Sequence, residues 1–248
     1  MAERTHFENS NEIGVFTRIT NSYLLWGTGA PDSFYSMYES TCGNYLPVVI
    51  TSVAGTKIVG TMWVGNKKGL LVPDSITNDE FDAIREALPE SVEIAKLDDK
   101  LSALGNCIAC NDSYALIHPE MDQDSEEIIA KTLGVEVYRT AIAGNALVGS
   151  YCVFNNKGGV VHPLVTVAEL DELSSLLQIP LWTGTVNRGS DVIGGGLVAN
   201  DYSAFVGMDT TAIELNTIDT ILKLEEGGNG SDEEAKEVKG ALLDALIA

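Results

Sequence analysis

The sequence predicts an α/β ring made of five copies of one unit of about 45 residues, each a β-hairpin, a helix and a further short strand. Three observations carry that expectation. A glycine behind an apolar residue recurs as Gly14, Gly60, Gly105, Gly149 and Gly194, at steps of 46, 45, 44 and 45 residues. Six places after each glycine stands a turn-forming pair: Thr20-Asn21, Asn66-Lys67, Asn111-Asp112, Asn155-Asn156 or Asn200-Asp201. Four units then repeat a helix start signal at the spacing of a capping box: Thr77 with Glu80, Asp124 with Glu127, Thr166 with Glu169, and Thr211 with Glu214.

Each unit opens with the repeat glycine and an apolar run, the turn pair, and a second apolar run. In the middle three units that second run ends at Val72-Pro73, His118-Pro119 and His162-Pro163, where proline removes the donor a ladder needs. The helices bury one stripe, as in Phe81, Ile84 and Leu88, or Leu170, Leu173 and Leu177. The first helix is less marked and is expected over Ser33 to Ser40, with Phe34, Met37 and Tyr38 inward. Closing strands are expected over Leu46 to Thr51, Val92 to Leu97, Val135 to Arg139 and Ile179 to Thr183. The fifth helix, ending near Leu224, has none after it, while Arg4 to Glu8 has no helix before it. That segment is therefore expected to close the ring beside the fifth unit, which avoids open sheet ends without polar capping repeats.

Residues 1 to 224 thus form one ring domain, and residues 225 to 248 are expected to be an acidic flexible tail after the run Glu225-Glu226-Gly227-Gly228-Asn229-Gly230. The chain carries a net charge of −21, of which the tail holds −5 and the ring −16. Such a balance argues against tracking a nucleic-acid backbone, which rewards clustered Lys and Arg, and suits a basic protein partner. Four cysteines without a disulfide-like framework, and a start without an apolar leader, read as a reduced, intracellular protein. No run reaches the roughly 18 apolar residues of a membrane helix.

No catalytic or metal-binding constellation is expected, and no cofactor. His118 and His162 hold equivalent places before proline and read as structural, and His6 is isolated on the closing strand. Cys107 and Cys110 form a single CxxC inside an apolar hairpin strand, which reads as core packing. Gly194-Gly195-Gly196 lacks the Lys-Ser/Thr of a phosphate loop and falls on the repeat glycine. Asp98-Asp99 and Asp122 to Glu127 lack the alternating oxygen ligands of a calcium loop and read as solvated loop and helix start.

Six stretches closely resemble the eukaryotic translation initiation factor 6 family of ribosomal anti-association factors: 7 to 14 (FENSNEIG), 68 to 73 (KGLLVP), 101 to 106 (LSALGN), 147 to 152 (LVGSYC), 173 to 178 (LSSLLQ) and 184 to 189 (GTVNRG). They span nearly the whole ring in fixed order. The resemblance implies a pentein fold, a five-bladed αβ propeller. It also implies binding to the intersubunit face of the large (60S) ribosomal subunit, through a basic ribosomal protein near the sarcin–ricin loop, so that the small subunit is kept away. Late large-subunit maturation in nucleolus and cytoplasm, and release by a GTPase with a protein of the Shwachman–Diamond family, are implied as well. The rival reading is a pentein-fold guanidine-modifying enzyme, which needs a catalytic cysteine late in the chain; the last cysteine here is Cys152, inside a hairpin strand.

The resemblance further implies partner-binding or release roles for Gly14, Thr56, Ile58, Asn106, Tyr151 and Val192, and for Thr61, which stands where the family often has arginine. Register groups several of these. Val15, Thr61, Asn106, Ser150 and Gly195 directly follow the repeat glycines, and Glu12, Ile58, Ala103, Leu147 and Val192 stand two before, so one end of the axis is the expected docking face. Ser174 and Ser175 match family serines that are phosphorylation targets. Truncation after Leu224 is expected to leave a single cooperative unfolding transition by circular dichroism; its loss would mean that the tail is part of the folding unit.

Overall fold

The computed structural model describes residues 2 to 42 and 46 to 224; the acidic tail expected over 225 to 248 lies outside them. The chain begins with β1 (Ala2–Thr5). The first unit follows with β2 (Thr17–Ile19), β3 (Leu24–Gly27), α1 (Asp32–Cys42) and β4 (Val48–Thr51). The second has β5 (Val64–Gly65), β6 (Gly69–Pro73), α2 (Asn78–Ala87) and β7 (Glu93–Leu97). The third has β8 (Ile108–Cys110), β9 (Tyr114–Ile117), α3 (Gln123–Leu133) and β10 (Glu136–Arg139). The fourth has β11 (Cys152–Phe154), β12 (Gly159–Val161), α4 (Val167–Leu177) and β13 (Leu181–Thr183). The fifth has β14 (Leu197–Ala199), β15 (Ala204–Gly207) and α5 (Ala212–Leu222).

Every unit gives a three-stranded sheet in which the middle strand pairs antiparallel with its hairpin partner and parallel with the strand after the helix. In the fifth sheet that last place is taken by β1, parallel to β15 from Ala2↔Ala204 to Thr5↔Gly207. The N-terminus closes the ring as expected, but over Ala2–Thr5 rather than Arg4 to Glu8. The ladder ends early because Phe7 and Ser10 bridge each other in a tight turn with Glu8 at φ 53. Beside it the Ala2 N–H donates to Asp219 Oδ1 of α5, and Arg4 Nε donates to the Thr210 carbonyl at 2.6 Å. This is the five-bladed pentein arrangement.

The middle strands are buried on both faces, which explains their unbroken apolar runs. Successive residues of β6 serve different wedges: Leu70 and Val72 pack with Leu25, Val49, Ile84 of α2 and Leu88 just after it, while Leu71 packs with Ile108, Ile117 and Ile129 of the next wedge. Core therefore runs continuously from blade to blade. In α1 the buried residues are Phe34, Tyr38 and Cys42, with Met37 only half-buried.

The repeat glycines do not open the hairpins directly. They sit in single inner turns of helix before the first strand: Ile13–Val15, Val59–Met62, Leu104–Cys107, Val148–Tyr151 and Ile193–Gly196. There the five backbones meet at the axis. A Cβ on Gly60 would lie 2.0 Å from the Gly14 carbonyl oxygen, one on Gly105 2.1 Å from Gly60 O, and one on Gly149 2.2 Å from Gly105 O. On Gly194 it would lie 2.0 Å from Gly149 O, and on Gly14 2.0 Å from Gly194 O. The contacts form a closed circle of five, each glycine resting on the carbonyl of the previous unit, an approach that only a Cα–H permits.

The opposite end of the axis is closed by a belt of amides. Asn66 Oδ1 accepts the N–H of Lys68 (2.9 Å) and Gly69 (3.1 Å) of its own hairpin, while Nδ2 donates to Asn111 O at 3.0 Å in the next blade. Asn111, Asn155 and Asn200 repeat the reach, to Asn155 O (3.2 Å), Asn200 O (3.1 Å) and Thr20 O (2.9 Å). Thr20 cannot reach onward, and Tyr23 bridges that interval by donating to Gly69 O at 2.8 Å. Across the mouth Asn21 and Asn156 each donate to Oδ2 of both Asp112 and Asp201, at 2.6 to 2.8 Å.

Glycine-to-alanine changes separate the two reasons for glycine in this chain. Gly60→Ala and Gly194→Ala, which press a methyl onto a backbone oxygen, should each cost about 3 kcal/mol or more, the upper range of overpacking. Gly144→Ala, at φ 78 with open space around it, should cost only about 1 kcal/mol. Urea midpoints compare them, and equal losses at Gly194 and Gly144 would refute the circle as a packing constraint.

A candidate docking face at the glycine end

Directly before each inner turn the chain makes an inverse γ-turn. Glu12, Ile58, Ala103, Leu147 and Val192 have φ from −84 to −79 and ψ from 47 to 73. The Val148 N–H donates to Ala146 O, and the Ile193 N–H to Asp191 O, both at 2.9 Å. Closely similar backbone geometry arranges these five side chains as a rosette around the axis. Leu147 is 40% exposed, and Glu12, Ile58, Ala103 and Val192 are half-buried. The rosette is apolar apart from Glu12, which lies against Gly195 and accepts from Asn187 Nδ2 at 3.3 Å.

Thr61, Asn106 and Ser150, one place after the glycines, are half-buried beside the rosette, and Asn106 makes no side-chain hydrogen bond to a described residue. Tyr151 stacks edge-on against His162, ring centres 5.3 Å apart. His162 Nδ1 accepts the Leu164 N–H at 3.1 Å, so the ring proton sits on Nε2, 3.2 Å from Asp191 Oδ2 of the fifth unit. Thr56 is exposed on the turn before the rosette and donates to Val53 O at 2.8 Å. Gly14 is different in kind: it is buried in the glycine circle, where its Cα rests on the Gly194 carbonyl. Ser174 and Ser175 lie in α4 rather than in the inner turns; Ser174 donates to Ile179 O (2.5 Å) and exposed Ser175 to Asp171 O (2.8 Å).

The turns that carry the rosette are strained and pinned. Ala54 and Gly55 have φ of 48 and 75, and Ala143 and Gly144 have 48 and 78, so alanine occupies the left-handed region twice. Such a residue costs about 1 to 2 kcal/mol and persists only when its surroundings over-determine it. Glu80 supplies that constraint. Its carboxylate caps α2 through Thr77 and also accepts the N–H of Ala54 (3.0 Å) and Gly55 (3.1 Å) and the Ser52 hydroxyl (2.6 Å). Glu214 does the same for Arg188 (3.2 Å), Gly189 (2.9 Å) and the Thr185 hydroxyl (2.6 Å). Glu169 takes the Ala143 N–H at 2.7 Å, and Thr166 caps α4 without the reciprocal bond of a full box.

The third unit reverses the device. Asp124 with Glu127 is not a capping box; α3 starts after Asp122, whose side chain makes no cap bond. Asp99, on the loop, instead accepts the N–H of Asp122 at 3.2 Å and of Leu101 at 2.9 Å, and binds the buried Ser125 hydroxyl. Acid and acceptor have exchanged sides, so the local motif is absent although the tie is present. Arg139 adds a bond to Met121 O and an ion pair with Glu126 at 2.7 Å.

Burial alone would raise the Glu80 carboxyl, but hydrogen bonds from Ser52, Gly55 and Thr77 hold it at about 2. Glu214 is likewise held at about 2 against burial by Thr185, Thr211 and Gly189, and Asp99 is lowered against burial by Leu101, Ser125 and Asp122. The thiols go the other way. Burial pushes Cys107 to about 11, with Asp99 adding to it, and Cys110 and Cys152 to about 12. Cys107 closes an inner turn rather than lying in a strand, and Cys110 lines the axis. Among the described residues no group of three or more His, Cys, Asp or Glu could hold a metal ion.

The sequence profile of the eIF-6 family matches residues 2 to 221. The chain belongs to the eIF-6 family. It is 58% identical over 226 residues to eukaryotic translation initiation factor 6 of Tetrahymena thermophila, covering 91% of this chain and 92% of that one. It is 53% identical over 247 residues to the factor of Ostreococcus lucimarinus (100% of both chains) and 52% to that of Saccharomyces cerevisiae (100% and 98%). A solved dimethylarginine dimethylaminohydrolase is similar at 11% identity and a TM-score of 0.45, covering 86% of this chain and 74% of its own.

Because Glu80 and Glu214 stay charged down to about pH 2 when folded and protonate near 4.5 when unfolded, the unfolded chain binds more protons between those values. Their contribution to stability is complete above pH 5 and fades as pH falls toward 2. Glu80→Gln with Glu214→Gln should lower the urea midpoint at pH 7 and flatten its fall from pH 5 to pH 2. An unchanged slope would show that the two carboxylates do not hold the turns.

Proposed function

We propose that this chain is a ribosomal anti-association factor that docks by its glycine end on the intersubunit face of the large (60S) ribosomal subunit and sterically blocks the small one. The observation that carries the reading is the rigid rosette of Ile58, Ala103, Leu147 and Val192, flanked by Asn106 and Tyr151, in a chain of the eIF-6 family. Blocking a joining surface needs tight placement and no moving part, and pre-formed turns leave little conformational freedom to lose on binding. The acids at the face, Glu8, Glu12 and Asp191, suit a basic ribosomal protein near the sarcin–ricin loop better than ribosomal RNA itself.

The same reading includes a monomer off the ribosome, action in large-subunit maturation in nucleolus and cytoplasm, and release by a GTPase with a Shwachman–Diamond family protein. Thr61, where the family often has arginine, makes any contact there without charge assistance. The rival enzyme reading is disfavoured by the thiols: Cys107, Cys110 and Cys152, raised to about 11 or 12, are poor nucleophiles at neutral pH.

Sedimentation of the purified protein with separated subunits tests the proposal. Cosedimentation with the large subunit and inhibition of subunit joining are expected, and failure of either would overturn it. Asn106→Ala and Leu147→Asp should each weaken binding by about tenfold or more, with the melting temperature unchanged, as expected of central contacts on a rigid face.

A further inference from the structure

On the axis, between the glycine circle and the amide belt, lies a cavity of about 40 Å³. Its wall is built from Gly149 and from residues three to five places after the repeat glycines, and four of the five units put an aliphatic side chain at the fourth place: Val64, Ala109, Val153 and Val198. The first unit puts Arg18 there. Its Nη2 donates to Gly60 O at 2.5 Å and Gly105 O at 3.3 Å, reaching back into the glycine circle.

The remaining donors are unused. Nε is buried with no hydrogen-bond partner, and Nη1 makes none to a described residue. No described carboxylate forms an ion pair with Arg18. The acids nearest along the axis, Asp112 and Asp201, are already shared between the Asn21 and Asn156 amides, and Asp112 also lies 3.6 Å from Lys67. Burial works against the charge on Arg18, opposed by Cys110 and Tyr23. A guanidinium keeps its charge in a folded protein regardless, so a half-buried one whose Nε is fully buried and which lacks a carboxylate calls for a counter-charge.

We propose that the axial cavity holds one small inorganic anion of chloride size as the counter-ion of Arg18. The space admits roughly two or three water-sized bodies, enough for a monatomic anion with a water but not for a phosphate ester or a nucleotide. A cation is excluded by the guanidinium and an apolar ligand by its unused donors. The ring's own charge of −16 repels anions from the outer surface, so binding inside depends on Arg18 alone. An anion held only by the folded ring stabilises it by mass action.

The probe is bromide, replacing chloride throughout purification and crystallisation of the full chain. A single anomalous peak within hydrogen-bond reach of the Arg18 guanidinium is expected; ordered water there, with no anomalous signal, would overturn the proposal. In solution the melting temperature should rise saturably as chloride replaces gluconate at fixed ionic strength, gluconate being too large to enter. Arg18→Met should abolish that rise, and a rise retained in the variant would equally overturn the proposal. Should Arg18→Met not fold, the bromide map of the unaltered protein decides.

Discussion

The carbonyl oxygen of each repeat glycine rests against the Cα of the next, and this circle sets the radius at which five blades meet. A wider radius would open a water channel through the axis and draw the blades apart at their inner edges. A narrower one is barred by contact between the carbonyls and the glycines themselves. Glycine in an ordered element costs roughly 0.5 to 1 kcal/mol relative to alanine, so five of them are a standing expense. The packing that follows outweighs it, since each wedge buries a cluster of a dozen or so apolar side chains at about 1.5 to 3 kcal/mol each.

The fold was legible because its constraint is periodic. Gly14, Gly60, Gly105, Gly149 and Gly194 must recur for steric reasons, and so must Asn66, Asn111, Asn155 and Asn200, each of which caps its own hairpin. What those asparagines do with their other end was not legible, since the partner carbonyl lies some 45 residues away and backbone carbonyls carry no sequence signal. Inner turns of three or four residues are too short for helical periodicity to show. The closing strand was placed beside the correct partner but two residues late, because Arg4 to Glu8 contains both ladder and turn and only the left-handed Glu8 separates them.

The candidate site shows the same division. Register alone groups Ile58, Asn106 and Val192, and the structure keeps them together. The hidden members are the pinning acids. Glu80, Glu169 and Glu214 were visible as helix-start signals, yet their second task, holding the turn in front of the rosette, depends on contacts 25 to 29 residues back. Asp99 performs that task from the loop side, and no capping pattern could reveal it. One carboxylate thus joins the start of an outer helix to the candidate face in each of four units. Stability of the outer layer and geometry of the face are therefore not independent properties of this chain.

β1 takes a position that in every other blade belongs to the strand following the unit's own helix. Its residues pair with partners about 200 positions away, so among the described strands the pairing that completes the ring is the most non-local, and a growing chain can form it only once the fifth unit has been made. Loop closure costs only about 0.6 kcal/mol more for each doubling of length, which makes so distant a pairing affordable once formed. Covalently the chain has two ends, but in its pattern of strands it has none. The present order of units is one of five nearly equivalent places to cut a circle, and a chain permuted to begin at β4, β7, β10 or β13 would build the same five sheets.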